Sequence, residues 1–474
     1  MHDQKSSGSN QVVRPALVVA IASSSLFMEM LDSTVILTAL PRMALDFHST
    51  AVAMGIGLTS YLLALAAVLP ASGWLADRFG TRRVFMTAVT GFLLSSVLCG
   101  ACQSSWQFVI ARCLQGAAAA LMSPVARLSM VKTLQGERLA RAINMAAMAA
   151  LLGPTIGPPL GGFIATYSSW RWIFFINVPI GIAGFLLARR ALPDYRAPQP
   201  RPFDAAGFLL NALALMCLLY GLDGLGSSDA DVLRQGSLVG IGLLLGRMAL
   251  RHARGHRNSI LELVALRVAT FRVALFGGGL YRIGLFAPIF MLPLLLQLGL
   301  GMTPFAAGLL LFVGAAADVA AKIFVIRTLR RFGFRTVLMT SAFLYAMFPL
   351  ALVWVDGNTP LPLLILLLIF GGAARSFQMS TSNALIYTGL QREQVSGAST
   401  LAAVSQQVAM ALAVASAALL IGVGIRWNGG QGSALHPADF QLGFAFSAVM
   451  SCCTLIWYAR LARDAGAEVS GHRG

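Results

Sequence analysis

Long apolar runs, separated by short polar loops, are the feature that most restricts how this chain can fold. A helix needs about 20 consecutive apolar residues to cross a bilayer. Runs of this kind lie near residues 15–40, 51–75, 84–102, 105–131, 139–165, 170–190, 206–222, 233–250, 272–298, 304–326, 335–354, 360–386, 396–424 and 440–459. Only 11% of the residues are charged, against about 25% in soluble domains. The sequence therefore predicts an all-α integral membrane protein with about 14 spanning helices.

The distribution of basic residues indicates how the chain is oriented. Alternate loops contain Arg78, Arg82, Arg83, Lys132, Arg138, Arg141, Arg189, Arg190, Arg196, Arg201, Arg251, Arg254, Arg257, Arg267, Arg327, Arg330, Arg331 and Arg335. The loops between them hold mainly Arg42, Arg171, Arg234 and Arg426. Because basic residues favour the cytoplasmic side, both termini are predicted to be cytoplasmic. The net charge of +17 then needs no nucleic-acid partner, since the basic residues form no separate domain.

A short motif occurs twice. DRFGTRRVF at 77–85 returns as RRFGFRTVL at 330–338, an offset of 253 residues. Six helices with short loops need only about 190 residues, which leaves room for two more helices in the middle. The predicted organisation is a cytoplasmic tail (1–14), a six-helix half (15–195), a two-helix insertion with its loops (196–267), a second six-helix half (268–462) and a second tail (463–474).

The first apolar run carries two acids, Glu29 and Asp32, within LFMEMLDSTVILTALP. A carboxylate near a bilayer centre costs roughly 2.5 to 3.5 kcal/mol, so such residues usually belong to ion or substrate pathways. By helical rise, Asp32 and Arg112 of the fourth run lie at similar depth, about 10 to 12 Å from the outer end. We expect them to pair, with Gln115 adding a hydrogen bond. The alternative is an ion pair that only fixes helix packing.

Glu29 has no obvious partner in the sequence, and a buried carboxylate of that kind can bind and release protons near physiological pH. Exchange of a proton for a cationic substrate is the minimum requirement for antiport. The second half instead carries three basic residues within its runs, Arg282, Lys322 and Arg375, and one acid, Asp318. Asp318 and Lys322 are four residues apart and could neutralise each other. Arg282 and Arg375 could face a polar cavity or pair with an unidentified acid.

Two further stretches suggest conformational roles. GWLADRFGTRR at 73–83 forms a short loop in which Gly80 permits a tight bend and Asp77 can pair with neighbouring arginines. LLGPTIGPPLGG at 151–162 places glycines at helical spacing, which allows close backbone approach, and its prolines remove helix hydrogen bonds. Close packing alone would explain the glycines; the prolines suggest a bend that helps to gate a pathway. The residues concerned are Gly153, Pro154, Gly157, Pro158, Pro159, Gly161 and Gly162.

Five motifs in order resemble the major facilitator superfamily, specifically its 14-spanner drug/proton antiporter branch. They are LDSTVILTALP, GWLADRFGTRR, RCLQG at 112–116, GPTIGPPLGG and WRWIFFINVPIG at 170–181. The resemblance implies a major facilitator fold whose central cavity is lined by the first and fourth helix of each half, which hold Glu29, Asp32, Arg112, Gln115, Arg282 and Arg375. It also implies that Arg112 assists proton movement. It further implies a latch formed by Asp77, Arg78, Gly80 and Arg82, and a bend shaped by Gly157 and Pro158.

The sequence therefore predicts a proton-coupled antiporter that exports drugs or other lipophilic, cationic small molecules. Export of an endogenous metabolite or organic anion is an alternative, as is a transport-inactive sensor or a channel. No phosphate-binding loop supports an ATP-driven pump, and no enzyme site, cofactor or metal site is expected. The expected partners are a small-molecule substrate, protons and the lipid bilayer, and the chain is expected to act as a monomer. Abundant arginine beside very little lysine suggests a bacterial inner membrane.

Overall fold

The structure is a computed structural model, and it describes residues 15–197, 202–225, 231–256, 259, 263–391, 394–428, 435–462 and 465. The predicted tails 1–14 and 463–474, apart from Ala465, lie outside these residues, as do Arg201 and Arg257. Helices account for nearly all of the described chain. The first nine are α1 (Pro15–Val35), α2 (Leu40–Asp46), α3 (Gly55–Val68), α4 (Ala71–Phe79), α5 (Thr81–Ala101), α6 (Ser105–Thr133), α7 (Gly136–Tyr167), α8 (Trp172–Phe175) and α9 (Asn177–Ala191).

The remaining helices follow the same pattern of long apolar segments. They are α10 (Ala205–Leu225), α11 (Val232–Gly255), α12 (Ala269–Leu294), α13 (Pro304–Leu352), α14 (Leu361–Leu385), α15 (Val395–Trp427) and α16 (Gln441–Tyr458). Within the described residues, eleven helices are long and apolar enough to cross a membrane, or twelve if α3 and α4, bent by 56°, form one span. Large apolar side chains remain exposed on these helices, for example Met148 at 68% and Ile323 at 70%.

Glycines in the left-handed half of φ space end two helices at equivalent places in the repeat. Gly80, with φ 96° and ψ 140°, separates α4 from α5. Gly333, with φ 71° and ψ 168°, interrupts α13, so that this 49-residue segment consists of two helices. The two glycines are 253 residues apart, the offset of the repeated motif. The repeat predicted from the sequence is thus present in the backbone conformation.

Two helix bundles pack side by side. In the first, α1 contacts α6, α7 and α9, α5 contacts α6 and α9, and α3 contacts α6. In the second, α13 contacts α14 and α16, and α12 contacts α15 and α16. The bundles meet where α7 packs on α13 and where α3 packs on α15. The hairpin of α10 and α11 lies against the second of these seams, because α10 contacts both α3 and α15.

The loops define two faces of the molecule. The basic face carries the loops after α4, α6 and α9, and a hydrogen bond from Thr81 Oγ1 to the Pro193 carbonyl (2.9 Å) joins the first of these loops to the last. The opposite face carries the loops after α1, α5 and α7, which meet where the Trp170 indole donates to Asp46 (2.8 Å). On this opposite face the two bundles also touch, since the Phe305 backbone N–H donates to Thr166 Oγ1 (3.1 Å).

The inserted hairpin is closed at the basic face by Asp204. Its Oδ1 accepts a hydrogen bond from the Gly207 N–H (2.9 Å) and lies 2.7 Å from Nε2 of His252, near the end of α11. His256, one turn further, stacks on His252. The ligand atoms of these three side chains lie within 4.8 Å of one another, but Asp204 already caps α10 and bonds His252. We therefore assign the group a structural role in closing the hairpin.

Candidate functional site

The Asp32 carboxylate and the Arg112 guanidinium meet in the interior of the first bundle. Nη1 of Arg112 lies 2.6 Å from Oδ2 of Asp32, and both side chains are completely buried. The pairing expected from equal depth is therefore observed. Asp32 on α1 and Arg112 on α6 lie at a depth where neither side chain reaches bulk water. Their pairing therefore offsets much of the free energy that burying each charge costs.

Amide side chains complete this network. Gln115 Nε2 donates to Asp32 Oδ1 (3.0 Å), and the Gln115 carbonyl oxygen accepts from Arg112 Nη1 (2.6 Å). Asn177, at the start of α9, donates to the same Oδ1 (2.9 Å) and to Ser96 Oγ on α5 (3.2 Å). Both oxygens of Asp32 thus accept hydrogen bonds from the surrounding side chains.

Arg112 also connects this network to α3. Its Nε donates to the Gly57 carbonyl oxygen (3.3 Å), and its guanidinium lies 4.3 Å from the centre of the Tyr61 ring. Within the described residues, the Tyr61 hydroxyl and Arg112 Nη2 are buried and have no hydrogen-bond partner. Since α3 packs on α15 of the other bundle, a change at Arg112 has a direct route to the seam between the halves.

Glu29 lies one turn before Asp32 and is 7% exposed. Its carboxylate accepts a hydrogen bond from the Ser123 hydroxyl on α6. The sequence did not reveal a partner for Glu29, and the structure shows the Ser123 hydroxyl in that place. A hydroxyl carries no charge, and a positive charge that acts on Glu29 is that of Arg127, also on α6, whereas Asp32 is in direct contact with the Arg112 guanidinium. The two acids of α1 therefore differ in their surroundings, because Asp32 lies in an ion pair and Glu29 lies against a hydroxyl.

Arg282 on α12 occupies the repeat position of Glu29, 253 residues later. It is 2% exposed, and its Nη2 donates to Asn383 Oδ1 of α14 (2.8 Å). Among the described residues no acidic side chain forms an ion pair with it. The repeat thus places an acid in one half and a base in the other at equivalent positions.

Arg375 has a partner that the sequence did not reveal. Its Nε and Nη2 each lie 3.0 Å from Asp318 Oδ2. Asp318 Oδ1 also lies 3.5 Å from Lys322 Nζ, so this carboxylate forms ion pairs with two basic side chains. The expectation that Asp318 and Lys322 simply neutralise each other is therefore incomplete, because the closer partner of Asp318 is Arg375.

The loop after α4 has a different set of contacts from the one expected. Asp77 pairs with Lys132 of α6 (3.7 Å), rather than with an arginine of its own loop. Arg82 donates through its guanidinium to the Arg189 carbonyl oxygen and through its backbone N–H to Asp194 (3.2 Å). Arg78 is exposed. The turn thus ties α4 and α5 to the ends of α6 and α9, which is compatible with a latch on the basic face.

The glycine-rich stretch of α7 packs closely on α1, as expected. A Cβ at Gly153 would lie 2.7 Å from the Leu31 backbone nitrogen, and side chains at Gly157 and Gly161 would collide with Thr34 and with the Val35 carbonyl. In return, hydroxyls of α1 bond to α7, as Thr34 Oγ1 does to the Gly153 carbonyl (3.4 Å). Despite its three prolines, α7 runs without a break from Gly136 to Tyr167.

The same stretch forms the seam with the second half. A Cβ at Gly162 would overlap the Pro304 carbonyl oxygen of α13, and one at Gly308 of α13 would overlap the Pro158 carbonyl oxygen. All four residues belong to the ends of α7 and α13 near the opposite face. The two halves are therefore in backbone contact at that face.

Sequence reasoning missed Asn177, Ser96 and Tyr61 as parts of the site. Each is a polar residue within an apolar run, and Asn177 falls inside the quoted motif WRWIFFINVPIG. That signal is present in the sequence, but it does not say which polar side chains face Asp32. The tertiary contacts were needed to select these three.

Comparisons with known proteins agree with the fold. The family profile of the Major Facilitator Superfamily matches residues 22–269 and 274–473. A protein of Cronobacter sakazakii named "Putative multidrug resistance protein MdtD" is 37% identical over 402 residues, which is 85% of each chain. Its namesake in Citrobacter koseri is 34% identical over 448 residues, 94% of each chain. "Probable transport protein HsrA" of Haemophilus influenzae is 35% identical over 401 residues, 85% of this chain and 86% of that protein.

Solved structures show the same architecture at low sequence identity. A D-xylose-proton symporter superposes with a TM-score of 0.67 at 14% identity, covering 94% of this chain and 97% of that one. The human organic anion transporter MFSD10 superposes with a TM-score of 0.60 at 16% identity, covering 94% and 99%. These similarities concern the fold.

Proposed function

The chain belongs to the major facilitator superfamily, and from that premise we propose that it is a proton-coupled antiporter that exports lipophilic, cationic small molecules. As a member of this family it is a multi-pass membrane transporter and not an enzyme. Proton coupling, antiport and the class of cargo are the proposal. The names of the MdtD relatives, which refer to multidrug resistance, support the choice of cargo.

The proposed topology has fourteen spans, two six-helix halves and an inserted pair. It counts α13 as two spans on either side of Gly333, α3 with α4 as one, α8 with α9 as one, and α11 as one, although α11 is not among the helices apolar enough to qualify alone. We retain the divisions at 15–195, 196–267 and 268–462. The basic face is assigned to the cytoplasm of a bacterial inner membrane because basic loops favour that side.

With this orientation the seam contacts near Gly162 and Gly308 lie at the outer side, and we propose that the described conformation is open toward the cytoplasm. Alternating access then requires the halves to separate at those glycines and to close at the basic face. The loop around Gly80, with Asp77, Arg78 and Arg82, and its counterpart at Gly333 lie where that closure would take place. A single chain suffices for this motion, and we propose that the monomer is the working unit.

The observation that carries the proposal is the contrast between the two acids of α1. Asp32 accepts hydrogen bonds from Arg112, Gln115 and Asn177, whereas the hydrogen-bond partner of Glu29 is the Ser123 hydroxyl, with the positive charge of Arg127 nearby. We propose that a proton and the cationic cargo compete for the Glu29 carboxylate. We further propose that the Asp32–Arg112 pair links the outcome of this competition, through Tyr61, to the movement of α3.

The available driving force is sufficient for useful export. Exchange of one proton for one monovalent cation moves no net charge, so the pH difference drives it, and each pH unit supplies about 1.4 kcal/mol, or about a tenfold concentration ratio. A second proton per cation would add about 2.3 kcal/mol for each 100 mV of membrane potential.

Transport in vesicles tests the proposal. Inverted vesicles with a pH gradient should accumulate tetraphenylphosphonium when they contain the wild type, but not when they contain Glu29→Gln or Asp32→Asn. Asp356→Asn, in an exposed loop at the opposite face, is the matched control and should transport normally. If both acid variants still concentrate the cation, the assignment is wrong. Binding without proton-driven accumulation in the wild type would instead indicate a sensor.

A further inference from the structure

A cluster of three charged side chains lies within the spans of the second half and is not used by the mechanism above. Arg375 of α14 contacts Asp318 of α13 through Nε and Nη2, each of which lies 3.0 Å from Asp318 Oδ2. Lys322, one turn along α13, lies 3.5 Å from the other oxygen of the same carboxylate. Ser376 fixes the arrangement by donating to the Asp318 backbone carbonyl (2.7 Å). We call these three charged residues the basic cluster.

The basic cluster carries more positive than negative charge. One carboxylate faces two cations, so the net charge of the cluster is +1. Lys322 carries three N–H donors and Arg375 five, and in the described part of the chain their charged partner is Asp318 alone. The cluster therefore retains donors and charge for a second acidic group.

The cluster is also accessible. The side chains of Arg375, Asp318 and Lys322 are 23%, 16% and 27% exposed, whereas Asp32 and Arg112 are completely buried. Arg375 and Lys322 each lie ten residues from the basic-face end of their helices, about 15 Å along the axis. Charged groups exposed at that depth favour a water-filled cavity over lipid. Because the two halves touch at the opposite face, we place the opening of that cavity at the basic face.

We propose that Lys322 and Arg375 bind a carboxylate of the cargo, with Asp318 holding Arg375 in position. This rests on the proposed function, in which Glu29 takes the cationic end of the same molecule. The preferred cargo is then a lipophilic zwitterion, bound between an acid in the first half and bases in the second. Binding one molecule at both places would draw the halves together, as alternating access requires.

Lys322→Gln is the variant that tests carboxylate binding at the basic cluster separately from the ion pair between Arg375 and Asp318. It removes the excess positive charge and leaves both close contacts between Arg375 and Asp318 in place, so the fold is expected to survive. Lys322→Arg retains the charge. Arg327→Gln, five residues further on the same helix and exposed, removes a charge of the same sign outside the cluster and is the matched control.

Equilibrium binding to the purified protein in neutral detergent tests the proposal with a matched pair of dyes. Rhodamine 110 carries a cationic ring system and a free carboxylate, and rhodamine 123 is its methyl ester. Fluorescence polarisation should show that the wild type, Lys322→Arg and Arg327→Gln prefer rhodamine 110. Lys322→Gln should weaken rhodamine 110 binding about tenfold, as expected for one charge-assisted contact, and leave the ester within about twofold.

The proposal is overturned if the wild type shows no preference for the carboxylate dye, or if Lys322→Gln affects both dyes alike. Displacement of the dye by phosphatidylglycerol micelles in the wild type but not in Lys322→Gln would assign the cluster to a lipid headgroup and would also overturn it. These measurements need no proton gradient. A failure of proton-driven export in vesicles is therefore a separate result.

Discussion

The guanidinium of Arg112 lies 2.6 Å from the carboxylate of Asp32, and neither side chain is reached by solvent. Breaking such a pair leaves one buried charge without compensation, which costs about 3 to 5 kcal/mol, whereas removing both charges can be nearly neutral. This asymmetry gives a stability test that is independent of transport.

Asp32→Asn and Arg112→Gln should each destabilise the protein by several kcal/mol, and the double variant should cost clearly less than the sum. Unfolding followed in detergent for the four proteins provides the cycle. Strict additivity would show that the two side chains do not interact energetically. Transport should be lost in all three variants, because the pair is proposed to link proton binding to α3.

Asn177→Ala should reduce stability by about 1 to 3 kcal/mol, because Asp32 Oδ1 loses one of its two amide donors in a buried site. If Asn177 positions Asp32 for coupling, the pH profile of vesicle transport should also shift. Half-buried Asn211 of α10 lies outside the network, and Asn211→Ala should alter neither property. An unchanged pH profile in Asn177→Ala would limit this residue to a packing role.

Gly308→Ala should disturb the seam between the halves. The added Cβ would overlap the Pro158 carbonyl oxygen and lie 3.0 Å from Pro159 Cα, and such overpacking typically costs 1 to 3 kcal/mol. Hydrogen–deuterium exchange at the start of α13, where Phe305 N–H bonds Thr166, should accelerate. Gly357→Ala adds a methyl group with no atom within 4 Å and should leave exchange unchanged.

Gly80→Ala should destabilise the loop after α4. Its φ of 96° disfavours any residue with a Cβ, and the new atom would also meet the Asp194 carboxylate. A loss of about 1 to 2 kcal/mol is expected from the backbone alone, measured as a lower melting temperature. Gly73→Ala, in open space on α4, should be neutral or slightly stabilising. Equal melting of the two variants would contradict the argument.

Asp46, in the loop region of the opposite face, provides a pH dependence. Hydrogen bonds from the Trp170 indole and then from Arg171 lower the pKa of its carboxyl below the ordinary value. The stabilisation is therefore present above the unfolded-state pKa, about 3.9, and is lost as the pH falls through the lower folded-state value. Because the side chain is 44% exposed, the effect should be at most about 1 kcal/mol.

The measurement is the difference in melting temperature between the wild type and Asp46→Asn as a function of pH. The wild type should be the more stable protein at neutral pH, and its advantage should shrink as the pH is lowered through the acidic range. A difference that stays constant with pH would show that the charge of Asp46 contributes nothing.

Much of this architecture could be predicted because it depends on local properties of the chain. The lengths of the apolar runs determine the helices, and the repeated motif at 77–85 and 330–338 locates the two glycine breaks. The pairing of Asp32 with Arg112 could also be predicted, since two opposite charges at equal depth in a bilayer have few other ways to reduce their burial cost.

Tertiary structure alone decided which neutral groups meet those charges. Ser123 bonds Glu29, Asn177 bonds Asp32, and Asp318 bonds Arg375 in preference to Lys322, the neighbour that helical spacing suggested. Helical periodicity gives the direction of a side chain on its own helix, but a contact between helices depends on the rotation and separation of both. Packing of the whole bundle fixes these quantities, with glycines such as Gly161 allowing the backbones to approach, and no single segment contains that information.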